Sequence, residues 1–161
     1  MSDPYEEILA GEMTLRLPPG ARHELALDRL RAALLTAVNG STTACLLEPR
    51  TQIRVSRSTA LRPDLALVTA ANNKLWLAIE IVSSDDHQTD TVTKKQIYED
   101  LKVPRLWMVD PRYDNVEVYH ATEHGLKLIH ILAGREVLEE KLLPKFRMAV
   151  ADLFAPPVAV N

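Results

Sequence analysis

Leu75-Trp76-Leu77-Ala78-Ile79-Glu80-Ile81-Val82-Ser83 decides how the rest of the chain is read. Glu80 is an acid inside an apolar run; its eight companions all suit the middle of a β-sheet. A run this short, rich in β-branched and aromatic residues, predicts a strand covered on both faces. An ionised carboxylate is almost never fully buried without a partner or a metal. Whatever holds Glu80 therefore organises the surrounding chain.

Two neighbouring stretches supply candidates. Upstream, Arg62-Pro63-Asp64-Leu65-Ala66-Leu67-Val68 is a second apolar strand with an acid near its start. Downstream, Asp90 begins a helical pattern that contains Lys94 and Tyr98. Side chains alternate along a strand. Glu80 thus shares a face with Trp76, Ala78 and Val82, and Asp64 with Ala66 and Val68. If the two strands pair as a hairpin, both acids meet near one end of the sheet. On the helix, positions 90, 94, 98 and 101 line one side. Lys94 then faces the sheet, and Lys95 falls with Thr91, Glu99 and Lys102 on the outer side.

Two carboxylates and an ammonium suit a divalent cation and an activated water. Plainer readings stand beside that one. Lys94 can simply neutralise Glu80 in a buried ion pair. Asp64, after a proline, fits a turn, and Asp90 fits a helix N-cap. His23 lies one turn before Leu27, on an apolar helix face, where a core histidine and a ligand or base are both admissible. Tyr98 reads as packing with a satisfied hydroxyl, and Asp110 before Pro111 as a turn residue.

Composition narrows the class. The length of 161 residues fits one domain, expected over 1–155, with 156–161 as a disordered tail. The formal net charge is −3, so any contact with nucleic acid has to be a local patch rather than a basic coat. The lone cysteine, Cys45, cannot close an intramolecular disulfide, which favours a reducing compartment. No stretch is long and apolar enough to span a bilayer, and the N-terminus carries acids where a secretory signal would carry bases. A soluble cytoplasmic protein with no membrane association is the expectation.

The remaining elements follow in order. Tyr5 to Leu17, with Gly11 between two apolar segments, predicts an edge hairpin, and Pro18-Pro19-Gly20 ends it. A helix over Ala21 to Val38 carries Leu27, Leu30, Leu34 and Val38 on one stripe and stops at Asn39-Gly40. Strands are expected at Ala44–Leu47, Gln52–Val55, Pro63–Val68, Arg105–Asp110, Asn115–His120, Leu126–Ile131 and Phe146–Val150. Ser83 to Thr89 is a polar loop, Asp90 to Lys102 a helix, and Ala151 to Phe154 a last helical turn.

Five stretches in this order resemble one family. They are Tyr5-Glu6 with Gly11-Glu12 and His23, then Pro63-Asp64, then Glu80-Ile81-Val82-Ser83, then Asp90-x-x-x-Lys94-x-x-x-Tyr98, then Val103-Pro104-x-Leu106-Trp107-Met108-Val109-Asp110-Pro111. Leu143-Pro144 and Ala151-Asp152-Leu153-Phe154 fit as well. The pattern is similar to the Uma-two family of putative restriction endonucleases, within the PD-(D/E)XK nuclease superfamily. The resemblance implies an α/β restriction-endonuclease-like fold, a central mixed sheet flanked by helices, with an N-terminal hairpin. It implies a Mg2+- or Mn2+-dependent endonuclease acting on DNA, commonly as a homodimer. The strands over 116–119 and 126–131 could supply the dimer face. Asp64, Glu80 and the Ile81 backbone carbonyl would hold the metal, and His23 or Glu24 would complete the site from the first helix. In the superfamily a lysine usually follows two residues after the second acid. Here Val82 stands there, and the family's lysine lies on the following helix, at Lys94. Lys102 takes a place where relatives often have glycine. The stretch Ser84-Asp85-Asp86-His87 is acidic where relatives carry arginines, and an acidic loop repels phosphate. That feature suits the alternative of a catalytically inactive nuclease fold used in nucleic-acid or protein binding.

Overall fold

A computed structural model describes residues 3–83 and 87–157. Strands β1 (Tyr5–Leu9) and β2 (Glu12–Arg16) form the N-terminal hairpin. Its turn, Ala10-Gly11, has positive φ at both residues, the backbone that a tight two-residue hairpin requires. Helix α1 (Ala21–Val38) buries Ala26, Leu27, Leu30 and Leu34. It stops where Asn39 N–H turns back to the Leu35 carbonyl and Gly40 takes a φ of 75°. Strands β3 (Ala44–Leu46), β4 (Ile53–Arg54), β5 (Ala60–Leu61), β6 (Leu65–Thr69) and β7 (Leu75–Ile81) follow. β5 is two residues long and too short to carry a periodic signal, so the sequence pattern does not predict it.

The single helix expected over 90–102 is two segments. A π-helical stretch, Thr89–Lys94, runs into α2 (Lys95–Asp100). Lys102 closes it with a φ of 55°, the left-handed region where glycine is cheapest. Beyond lie β8 (Arg105–Asp110), β9 (Asn115–Thr122), β10 (Gly125–Ala133), β11 (Val137–Glu140), β12 (Leu143–Ala149) and α3 (Val150–Phe154).

Six strands form the central sheet in the order β10-β9-β8-β7-β6-β3. β7 and β8 are parallel and the other pairs antiparallel, so the sheet is mixed. A parallel pair cannot be joined by a tight turn. The crossover between β7 and β8 is the stretch that carries the π-helical segment and α2. The hairpin extends a second sheet, ordered β2-β1-β5-β4, and β11 with β12 makes a separate ribbon.

The two faces of the central sheet bury different partners. Leu77, Ile79 and Ile81 pack with Leu27, Leu30 and Leu34 of α1 and with Trp107 and Phe146. Ala78, Leu106, Met108 and Tyr119 pack with Leu9, Leu61 and Tyr98 on the other side. Simple alternation would put Trp76 beside Ala78 and Glu80. Trp76 packs with the α1 cluster instead. The ladder between β6 and β7 slips between Leu67 and Val68, so the face reverses beyond that point.

The turn between β9 and β10 depends on Gly125, at φ 110°. A Cβ there would lie 2.7 Å from the Glu99 carboxylate, which itself accepts the Leu126 N–H at 2.8 Å. Gly125→Ala should therefore cost about 1–3 kcal/mol of stability, measured by urea denaturation. At the C-terminal end, Arg29 donates to the Ala155 and Pro156 carbonyls, and residues 158–161, where most of the expected tail falls, lie outside the described residues. Among the described residues no helix is long and apolar enough to cross a membrane.

Candidate active site

Antiparallel pairing of β6 with β7 brings the two acids together. The register sets Leu65 opposite Ile79, so one step outward Asp64 stands across from Glu80. Residues directly opposite share a face. Asp64 precedes β6 and closes the ladder with its side chain: Ile81 N–H donates to Asp64 Oδ2 at 2.8 Å. One residue further out, Pro63 faces Ile81 and has no N–H to offer its carbonyl. The ladder therefore ends at the pair of acids.

Lys94, at the end of the π-helical segment, reaches Glu80 from the crossover side. Its Nζ lies 2.6 Å from Glu80 Oε1. Tyr98, one turn on, donates its hydroxyl to the same oxygen at 2.6 Å. Lys94 is fully buried, and Asp64 and Glu80 are 2% and 1% exposed. Lys95 is half-buried, its ammonium 4.8 Å from the centre of the Tyr119 ring, rather than free in solvent.

Three charged residues that the sequence reading did not single out complete the cluster. Glu7 Oε2 on β1 is 2.9 Å from Lys94 Nζ. Arg16 on β2 bridges Glu7 at 2.7 Å and Asp90 at 2.6 Å. Asp90 is thus not a helix cap. It lies inside the π-helical segment, binds Arg16, and accepts the Ser83 N–H at 3.1 Å. Arg50 donates to Asp64 at 3.2 Å and to Glu24 at 2.6 Å. Its guanidinium and that of Arg16 both lie over the Tyr5 ring. A partial signal for Glu7 was present: it shares strand parity with apolar Leu9, which marks it as inward.

His23 and Glu24 occupy the first turn of α1. His23 Nε2 is 3.6 Å from Asp64 Oδ2, and its Nδ1 is 3.4 Å from Glu24 Oε1. Glu24 meets the site through Arg50. Ser84, Asp85 and Asp86 of the acidic loop lie outside the described residues.

The electrostatics separate the two central acids. Burial raises the Glu80 carboxyl; Lys94 opposes this, while Asp64, Glu7 and Asp90 add to it, and the result is a value of about 8. Burial also acts to raise Asp64, but the hydrogen bond and charge of His23, with Arg50 and Lys94, outweigh it and hold the group at about 2. Burial acts to lower Lys94, and Glu80, Glu7, Asp90 and Tyr5 together hold it above its ordinary value. His23 is likewise raised: burial lowers it, and Asp64 and Glu24 more than compensate.

A cluster of Glu7, Glu24, Asp64, Glu80 and Asp90 against Arg16, Arg50 and Lys94 has more acids than permanent cations. Among the described residues no group of three His, Cys, Asp or Glu side chains is arranged to hold a metal ion. Any metal here would rest on two carboxylates and backbone oxygen. All of these are hard oxygen donors, the kind that Mg2+ and Mn2+ take.

A mixed sheet with flanking helices and acids at the end of its central strands is a restriction-endonuclease-like fold. A putative nuclease belonging to DUF820 from Anabaena variabilis has this fold: its crystal structure superposes with a TM-score of 0.79 at 15% identity, over 96% of this chain and 92% of that one. The profile of the Uma2 family, described as putative restriction endonuclease, matches residues 2–151. The chain belongs to that family. No curated protein matches it.

Proposed function

We propose that the chain is a metal-dependent endodeoxyribonuclease that hydrolyses phosphodiester bonds in DNA. The observation that carries this reading is the pair Asp64 and Glu80, buried side by side with Lys94 at 2.6 Å from the second acid. Family membership supplies the substrate class. Asp64, Glu80 and the Ile81 carbonyl are the residues that would hold Mg2+ or Mn2+. Pro63 supports the last of these, since it leaves that carbonyl without its ladder donor. When bound, the metal supplies positive charge that polarises a phosphate oxygen and acidifies a water. Lys94 would add a positioned ammonium against the negative charge that builds on the phosphorane oxygens. His23 keeps Asp64 ionised, and Arg50 orients Asp64 while holding Glu24.

Supercoiled plasmid with pure protein should be nicked in millimolar Mg2+ or Mn2+ and left intact in EDTA. The same ions should raise the melting temperature; at a hundred times Kd the gain corresponds to about 2.7 kcal/mol. Asp64→Asn should remove both effects.

A second reading has its own observation. Lys94 is already paired with Glu80 and Glu7, Glu80 also accepts from Tyr98, and Asp64 is held by Arg50, His23 and the Ile81 N–H. Such a closed network suits a nuclease fold kept for nucleic-acid or protein binding without catalysis. No metal-induced melting shift in the wild type, with no cleavage, would establish it over the first.

A homodimer belongs to the same proposal. β10 is the outer strand of the central sheet and exposes Leu128, Ile129 and Ile131. An outer strand with exposed apolar residues favours pairing with a second chain. Light scattering at micromolar concentration should give the mass of two chains; the mass of one would count against it.

A further inference from the structure

The cluster raises a question that the acid pair alone does not answer. Glu80 is asked both to neutralise Lys94 and, on the reading above, to ligate a cation. Lys94 and Tyr98 already converge on its Oε1. A divalent ion on Glu80 would also repel the ammonium beside it. Lys94 would stay in place only if a second anion held it from another side.

Glu7 has that position. Its two oxygens receive three donors from three separate parts of the chain. Arg16 of β2 donates to Oε1 at 2.7 Å, the backbone N–H of Arg62 donates to Oε2 at 2.7 Å, and Lys94 Nζ sits 2.9 Å from Oε2. Arg16 is itself fixed on its far side by Asp90. Arg62 stands just before Pro63-Asp64, so the carboxylate that holds the lysine also ties down the segment that presents the first acid. Glu7 is 1% exposed.

We propose that Glu7 is a positioning residue: the resident counter-ion that keeps the Lys94 ammonium in place while Glu80 is free to turn to another ligand. This rests on the nuclease reading for its role, though not for its geometry. The N-terminal hairpin is then part of the active centre, and its carboxylate acts through Lys94 without touching substrate.

The test compares Glu7→Gln, Glu80→Gln, Lys94→Met and the double variant Glu7→Gln/Lys94→Met, all in the full chain. Urea midpoints are measured in EDTA, and cleavage and DNA affinity in Mn2+. Glu7→Gln should lower the midpoint more than Glu80→Gln does, and adding Lys94→Met should recover most of the loss, because both members of the pair are then gone. The Glu7→Gln variant should cleave about 10- to 100-fold more slowly at unchanged DNA affinity, in line with other residues that orient a reacting group. The double variant, although restabilised, should not cleave. A purely structural Glu7 would instead leave Glu7→Gln cleaving at the wild-type rate at a temperature where it is folded. Equal midpoints for Glu7→Gln and Glu80→Gln, or full cleavage by Glu7→Gln, would overturn the proposal. If the wild type itself does not cleave, the nuclease reading falls, and the midpoints alone decide which acid holds Lys94.

Discussion

Lys94→Met should abolish metal-dependent cleavage and cost about 3–5 kcal/mol of stability in the same protein. Both effects come from one location. The ammonium is fully buried between Glu7 and Glu80, and removing it leaves two buried acids without the charge they share. An uncompensated buried charge is among the few single changes with a penalty this large. On the catalytic side, loss of a preorganised charge aimed at a transition state typically costs about 10²–10³ in rate. Stability and rate should be measured separately, by urea denaturation in EDTA and by nicking at a temperature where the variant is folded. Lys95→Ala is the control. Its ammonium rests on the Tyr119 ring, so it should lose at most about 1 kcal/mol and little activity. A folded Lys94→Met protein that still cleaves would remove the lysine from the chemistry.

Glu80→Gln should abolish cleavage as well, yet its effect on stability should depend on pH in the direction opposite to most carboxylates. The Glu80 carboxyl is raised from 4.5 to about 8, chiefly by burial. A group whose folded value is raised stabilises the fold fully below its unfolded value, and that contribution is lost as pH rises through the folded value. The wild type should thus lose stability between pH 4.5 and pH 8 on account of Glu80. Glutamine does not titrate and keeps the shape. In EDTA the variant should match the wild type within about 1 kcal/mol near pH 4.5 and exceed it increasingly as pH rises to 9. Asp64 runs the other way: lowered from 3.8 to about 2, it contributes stability above pH 3.8 that disappears as pH falls through 2. Metal binding must displace the proton on Glu80, so the melting shift produced by Mn2+ should grow from pH 6 to pH 8.5. A shift that is flat across that range, or a Gln variant that is less stable at every pH, would remove Glu80 as a titrating ligand.

Much of this arrangement was legible in the sequence because it is local. The Glu80 strand, the start and stop of α1 and the antiparallel partner that carries Asp64 each follow from a periodic run with clear punctuation. Lys94 and Tyr98 share a side because of spacing within one segment. The misses have a common physical origin. Asp90 looks like a cap, but it serves Arg16, which is 74 residues away in the chain. Trp76 obeys a slip in the ladder that depends on which residues pair, not on its own strand. Glu7, Arg16 and Arg50 are single charges in short segments, and nothing nearby in sequence shows that they converge on Lys94 and Asp64. The Glu7 position was readable only in part: its parity with Leu9 marks it as inward, but not toward what.

The π-helical stretch has one more consequence, which concerns insertions and deletions. Asp90 and Lys94 are both buried, four residues apart, and bind different partners, Arg16 and the pair Glu7 with Glu80. Each residue advances an α-helix by about 100°, and a π-helical turn by somewhat less. Losing one residue between them would swing the ammonium round by about that angle, while Asp90 stayed anchored on Arg16. Val92, between the two, is 64% exposed, so many substitutions there should be silent. Its deletion should not be, because it would carry Lys94 off both carboxylates. In this segment the count of residues is under tighter constraint than their identity, and a change of length that a surface loop would absorb becomes here a change of charge at the candidate site.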